Sequence, residues 1–167
     1  MPRRQTIPLP TRPAAGWRRL AGRLPILVYK VGMGRLLGRR LLLHHIGRVS
    51  GLDRRAVLDV LEGEPGAGMW VVASRTGTRA DWYRNLHARP KTVVQVGSRH
   101  YAVTAYFLTP GEGADVMGGY AWQRRRAARR LCSFLNVPCD GTESGFREAG
   151  RSIPFVRLDT DGGHRQR

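Results

Sequence analysis

The chain has 167 residues and a mass of 18.7 kDa, enough for one sizeable core. Its 29 basic residues, all arginine except Lys30 and Lys91, outnumber 12 acidic ones and leave a formal charge of +17. Two cysteines, Cys132 and Cys139, exclude a disulfide scaffold, and no apolar run approaches the ~18 residues of a membrane-spanning helix.

Residues 1–13 hold four prolines and read as a disordered lead. Residues 14–40 read as a basic amphipathic helical arm, two short helical stretches broken at Pro25, with Trp17, Leu20, Leu24, Leu27, Val28 and Val31 between the basic side chains. Residues 1–55 carry thirteen basic residues and one acid, whereas residues 56–123 carry six of each. The excess therefore sits in the arm and in the arginine run from Arg124 to Arg130, around a neutral body. Two readings of the arm stay open. It can lie on an anionic membrane surface, or it can pack on the protein's own core with its arginines solvated. Nucleic acid is not expected, because the arm offers only Trp17 and Tyr29 for stacking and no recognition motif is present. The N-terminus has no secretory core with a cleavage site, so the expectation is a reduced, cytoplasmic setting. If the arm binds lipid, attachment is peripheral, at the inner face of the cell membrane.

From residue 41 the pattern changes. Leu41–Ile46 reads as a strand, followed by a turn over residues 47–53 and a returning strand over Arg54–Leu61 with Ala56, Leu58 and Val60 on one face. Residues 62–68 read as a turn and Met69–Ser74 as a short apolar strand. A short helix over Asp81–Ala88 has Asp81 as its cap and stops before Pro90. Thr92–Val96 and Arg99–Leu108 flank Gly97-Ser98, a two-residue hairpin turn. Thr109-Pro110-Gly111-Glu112 is a capping box with proline at the first helical position, opening a long helix to about Phe134. A loop over Cys139–Thr142, a short helix over Glu143–Ala149 and a last strand over Phe155–Leu158 complete the chain. Strands arriving in hairpins predict a mainly β (α+β) fold: a small antiparallel split β-barrel over residues 41–167, with flanking helices at both ends.

Several motifs fall away. Gly32-Met33-Gly34-Arg35-Leu36-Leu37-Gly38 resembles a dinucleotide fingerprint but spaces its last glycine one residue too far and is not followed by a repeated strand–helix unit. His44 and His45 are adjacent, so on a strand they point to opposite faces and cannot share a metal ion; no metal site is expected. Two segments hold more chemistry. Gly47-Arg48-Val49-Ser50-Gly51, followed by Arg54, offers turn N–H groups, a hydroxyl and two guanidinium groups to an anion, or else is a plain hairpin turn. Ala73-Ser74-Arg75-Thr76-Gly77 leads into Asp81-Trp82-Tyr83-Arg84-Asn85-Leu86, a glycine loop before a helix start. It reads as an anion site walled by aromatics, or as a helix that Trp82 and Leu86 anchor in the core.

In order and spacing, Gly47-Arg48-Val49-Ser50-Gly51, Ala73-Ser74-Arg75-Thr76-Gly77 and Trp82-Tyr83-Arg84-Asn85-Leu86 resemble the deazaflavin-dependent nitroreductases and F420H2-dependent quinone reductases. The match covers about residues 41–109. The chain departs from the family pattern where His44-His45 replace a threonine pair and Val49 stands where some members have lysine. In place of an aromatic-rich segment it has Tyr120-Ala121-Trp122 and the arginine run.

The resemblance implies coenzyme F420, with FMN as the alternative, and hydride transfer to a small-molecule acceptor such as a quinone or a nitro compound. It also implies that Arg48, Ser50, Gly51 and Arg54 hold the phosphate-bearing tail. Ala73, Ser74, Arg75, Thr76 and Gly77 line ring and phosphate, and Trp82, Tyr83 and Asn85 close the site. Ser74 and Tyr120 are the candidates for a proton donor. A flavin or F420 carrier without turnover is the second reading and a basic nucleic-acid-binding protein the third. The oligomeric state is left open.

Overall fold

A computed structural model describes residues 39–64 and 66–161. The expected lead over residues 1–13 and arm over residues 14–40 lie outside them, save Arg39 and Arg40, the latter already in the first strand. Six strands, β1 (Arg40–Ile46), β2 (Asp53–Glu64), β3 (Met69–Ala73), β4 (Lys91–Val96), β5 (Arg99–Phe107) and β6 (Phe155–Thr160), close into a barrel in the order β1-β2-β3-β6-β5-β4. Every pairing is antiparallel. Among the described residues three α-helices accompany the barrel: α1 (Asp81–Ala88) between β3 and β4, and α2 (Pro110–Leu135) and α3 (Glu143–Ser152) between β5 and β6. The expected split barrel is thus the observed one.

Alternation along β1 sends Leu41, Leu43 and His45 inward and leaves Leu42, His44 and Ile46 on the other face. Leu41 and Leu43 meet Leu58, Val60, Trp70, Val72, Val94, Val103, Val156 and Leu158 in the barrel interior, and Ala80, Tyr83 and Leu86 join this core from α1 and the residue before it. A second core lies outside the barrel wall. There Val71 and Phe155 pack with Met117, Tyr120, Ala128, Leu131, Cys132, Phe146 and Ala149 of α2 and α3. The run Met69-Trp70-Val71-Val72-Ala73 does not alternate in sequence because β3 is buried on both faces. Cys132 sits in this second core with a free thiol, which burial and the neighbouring Cys139 push up to about 12, so it stays protonated.

The structure corrects two expectations. Residues 62–64 are not part of the turn. A register shift between Val60 and Glu62 lets β2 continue, so that Gly63 faces Trp70 and Glu64 faces Met69. Asp81 is not the cap of α1 either: Ala80 holds that position without a side-chain bond, and Asp81 is the first helical residue. The capping box of α2 is present, with the Glu112 N–H donating to Thr109 Oγ1 at 3.3 Å and the Thr109 N–H donating to Glu112 Oε2 at 2.7 Å. α2 ends at Asn136, whose φ of 56° is left-handed.

The two long helices meet backbone to backbone where Gly113 faces Gly150. A Cβ at Gly150 would stand 2.7 Å from Met117 Cβ and 2.9 Å from Ala114 Cα, and one at Gly113 would stand 2.5 Å from the Gly150 carbonyl oxygen. Gly150→Ala is therefore expected to cost about 1–3 kcal/mol of stability through overpacking. Gly119→Ala, in the same α2 but with no atom near its Cβ position, should be neutral or stabilise by roughly 0.5–1 kcal/mol. Thermal unfolding of the two variants checks this; equal melting temperatures would contradict the close crossing.

Candidate functional site

A pocket of about 220 Å³ lies between the β1–β2 turn and α1, lined by Gly47, Arg48, Val49, Ser50, Arg54, Asp81 and Asn85. The turn is built by its own backbone. The Gly47 N–H donates to the Leu52 carbonyl at 2.9 Å, the Gly51 N–H donates to the Gly47 carbonyl at 2.8 Å, and Gly51 takes a φ of 67°. Gly47 is needed for a different reason: a Cβ there would stand 2.5 Å from Ser50 Oγ and 3.4 Å from Arg54 Nε, inside the donor cluster.

α1 supplies the other wall. Tyr83 and Leu86 are buried in the barrel core, so the helix is turned to carry Asp81 and Asn85, one turn apart, toward the β1–β2 turn. Asn85 is only 3% exposed, and its Oδ1 accepts from the Arg48 backbone N–H at 3.0 Å and from Arg48 Nη1 at 3.1 Å. Its Nδ2 lies 2.9 Å from His45 Nδ1. Arg48 Nη1 also reaches Asp81 Oδ1 at 3.2 Å. That carboxylate is 72% exposed, so the ion pair is screened and weak. Burial and the Arg54 guanidinium hold the His45 pKa below its ordinary value.

The structure brings Arg48, Ser50, Arg54 and Asn85 together, with Gly51 in the same turn. The other expected residues stand apart from this pocket. Ser74 is buried; its Oγ donates to the Gly77 carbonyl at 2.6 Å and its N–H to the Pro154 carbonyl at 2.9 Å. The Arg75 guanidinium lies 4.3 Å from the Phe134 ring centroid, against α2. Thr76 and Gly77, the latter with a φ of 65°, open a 3-10 turn over Gly77–Arg79, and half-buried Ala73 touches the helix-side core. Trp82 is half-buried against the barrel core, while Tyr83 meets Phe107 edge-on at 4.9 Å. Tyr120 is buried in the helix-side core, and its hydroxyl has no partner among the described residues. Neither Ser74 nor Tyr120 lines the pocket.

Sequence reasoning missed two members. Asp81 was read as a cap, although its spacing of four from Asn85 places both on one side of a helix. His45 was set aside with the metal question, although its parity with Leu41 and Leu43 already turned it inward. Among the described residues there is no cluster of metal-ligating groups and no helix long and apolar enough to cross a membrane.

The strand order defines a split β-barrel, and its pocket between the β1–β2 turn and α1 carries two arginines. The sequence pattern of the F420H(2)-dependent quinone reductases matches residues 27–127, well over half of the chain, and the chain belongs to that family. It is accordingly an F420-dependent oxidoreductase, with coenzyme F420 as its cofactor. No curated protein matches it.

Among solved structures, an F420-H2 dependent reductase (FDR-A) is 22% identical over 72% of this chain and 93% of its own, with a TM-score of 0.49. A protein of unknown function from Agrobacterium tumefaciens is 16% identical over 83% of this chain and 56% of its own, at a TM-score of 0.51. A conserved hypothetical protein from Mycobacterium tuberculosis is 14% identical over 74% of this chain and 73% of its own, at 0.50. The last two share the fold.

The donor set fits the coenzyme. Two guanidinium groups and a hydroxyl face a single exposed carboxylate, a balance that favours a polyanion, and the volume suits its phosphate-bearing part better than the whole molecule. Asp81 competes with such an anion for Arg48. Asp81→Asn should therefore tighten F420 binding by about two- to fivefold, the scale of one exposed charge pair. Fluorescence titration with oxidised F420 measures this, and weaker binding would remove the pocket from consideration as the anion site.

Proposed function

We propose that the protein transfers a hydride from reduced F420 to an apolar organic acceptor, a quinone foremost and a nitro compound as the alternative. The observation that supports this reading is the pocket itself: Arg48, Ser50 and Arg54 stand beside a turn whose Val49 and Leu52 are 91% and 63% exposed. A cationic recess suits the coenzyme's phosphate, and the two apolar side chains at its rim suit an acceptor of low polarity. When bound, reduced F420 supplies the hydride, two electrons in one step.

The chain's own residues bind and orient. Arg48 and Arg54 neutralise the phosphate, with Ser50 Oγ as a further donor. Asn85 holds the turn in place before any ligand arrives, so less ordering has to accompany binding. Tyr83 and Leu86 fill the adjoining barrel core and keep the helix wall rigid. In this reading the segment Ala73, Ser74, Arg75, Thr76 and Gly77, together with Trp82 and Tyr83, serves the ring end of the coenzyme. That assignment is supported by the family resemblance rather than by the pocket. The pocket lining includes no nucleophile other than the Ser50 hydroxyl, and the chemistry asks for none.

The test has two arms. Arg48→Ala and Arg54→Ala should each weaken F420 binding by about 1.5–3 kcal/mol, tenfold to a hundredfold, with little change in melting temperature. Arg126→Ala, outside the pocket, should bind as the parent does. In the second arm, reduced F420 should be consumed steadily when menadione is added. Binding without consumption of the reduced coenzyme by menadione or a nitroaromatic would make the protein a carrier, and wild-type binding by both arginine variants would overturn the site.

The basic arm of residues 14–40 adds a location to this reading, since quinones of low polarity reside in membranes. Removal of residues 1–24 should abolish sedimentation with anionic vesicles at low salt and leave F420 binding intact. Loss of coenzyme binding, or vesicle binding that survives truncation, would end the membrane reading.

A further inference from the structure

The hydrogen bonds around Asn85 form a chain of forced choices. Both groups that Arg48 offers, a backbone N–H and a guanidinium N–H, can only donate. They meet one atom, Asn85 Oδ1, at 3.0 and 3.1 Å. The amide is thereby oriented, and its NH2 group faces His45 Nδ1 at 2.9 Å. An amide NH2 also only donates, so Nδ1 must be the bare nitrogen. The ring is neutral, with its proton on Nε2. His45 is 5% exposed and lies where the family pattern has a threonine, which would not titrate.

We propose that His45 is a positioning residue: as a neutral imidazole it fixes the orientation of Asn85 and so holds the Arg48 turn in its coenzyme-binding form, and its protonation releases that turn. This rests on the reading of the Arg48 turn as the place where F420 binds.

Protonated, His45 would present Nδ1–H to the Asn85 NH2, donor against donor. Asn85 would have to turn its oxygen toward the imidazolium, and its NH2 would then face the two donors of Arg48, so both bonds to the turn are lost together. The charged groups around the ring are Arg54 and Asp53 on β2, Asp81 on α1 and His44 beside it on β1. β4 contributes no charge at this position, only Thr92, whose hydroxyl donates to the His44 carbonyl. Burial and Arg54 outweigh the two aspartates and favour the neutral ring. The sign follows. Coenzyme affinity is complete above the ordinary histidine value of 6.5 and is lost as pH falls through the lowered one.

The test titrates intact protein with oxidised F420 between about pH 5 and 8 for wild type, His45→Gln and His45→Leu. The glutamine carbonyl accepts from Asn85 at every pH. The wild type should therefore lose more affinity than His45→Gln toward the acid end of the range, and the coenzyme's own ionisation cancels in the comparison. His45→Leu, with no acceptor, should bind about tenfold more weakly throughout. A wild-type pH profile in His45→Gln, or wild-type affinity in His45→Leu, overturns the proposal.

A second measurement needs neither variant nor coenzyme. Long-range proton–nitrogen correlation spectra of the wild type should show the His45 proton on Nε2 at neutral pH, and the Arg48 amide should lose hydrogen-exchange protection as the ring protonates. A proton on Nδ1 at neutral pH, or an Arg48 amide indifferent to pH, refutes the relay. If F420 binding proves indifferent to Arg48→Ala, the coenzyme reading fails, while these spectra still decide the relay.

Discussion

β3 is the strand on which both cores are built. Its edges pair with β2 and β6, and both its faces are covered, so Trp70, Val71 and Val72 are each at most 2% exposed. Trp70 and Val72 fill the barrel, and Val71 points the other way into the layer formed by α2 and α3. Each fully buried side chain of this size contributes roughly 1.5–3 kcal/mol, so three consecutive residues bind barrel and helical layer into one unit. The end of β3 is fixed as well, because the Ser74 N–H donates to the Pro154 carbonyl just before β6. From that fixed point the chain crosses to α1, and α1 delivers Asn85 and Asp81. The position of the candidate site is therefore a consequence of how β3 is buried.

The site is organised around a single amide. Asn85 joins the helix to β1 through His45 and to the β1–β2 turn through Arg48, and it is almost wholly buried while doing so. A buried amide with its oxygen and its NH2 both engaged resists rotation, since turning it would set donors against donors on one side. Arg48 is thus held by bonds within the protein, and its second contact, to the exposed Asp81 carboxylate, is the weaker one.

The departures from the family pattern take on a physical meaning in the fold. Tyr120-Ala121-Trp122 is one of these departures, and successive residues of a helix point about 100° apart. Tyr120 and Ala121 consequently enter the helix-side core, and Trp122 is left 87% exposed. The histidine pair that replaces two threonines is likewise divided, with His45 inward against Asn85 and His44 on the opposite face of the strand.

Hairpin order, the capping box at Thr109, the two-residue turn at Gly97-Ser98 and the shared face of Ala56, Leu58 and Val60 were legible in the sequence. Each rests on neighbours a few residues apart: alternation, a side chain reaching its own backbone, a glycine with positive φ. The ordered motifs likewise pointed to Arg48 and Ser50, which share one short turn, and to Arg54 at the start of β2 just after it. The continuation of β2 to Glu64 depends on a bulge, whose partners in β3 lie beyond any local pattern. The contact of Asp81 with Arg48 spans 33 residues, and those of Asn85 with Arg48 and His45 span 37 and 40. Arg75 meets Phe134 across the fold, a contact that no local pattern announces. Local sequence determines which way a side chain leaves its strand or helix. Only the closed barrel determines what it meets, because that depends on strands and helices brought together from distant parts of the chain.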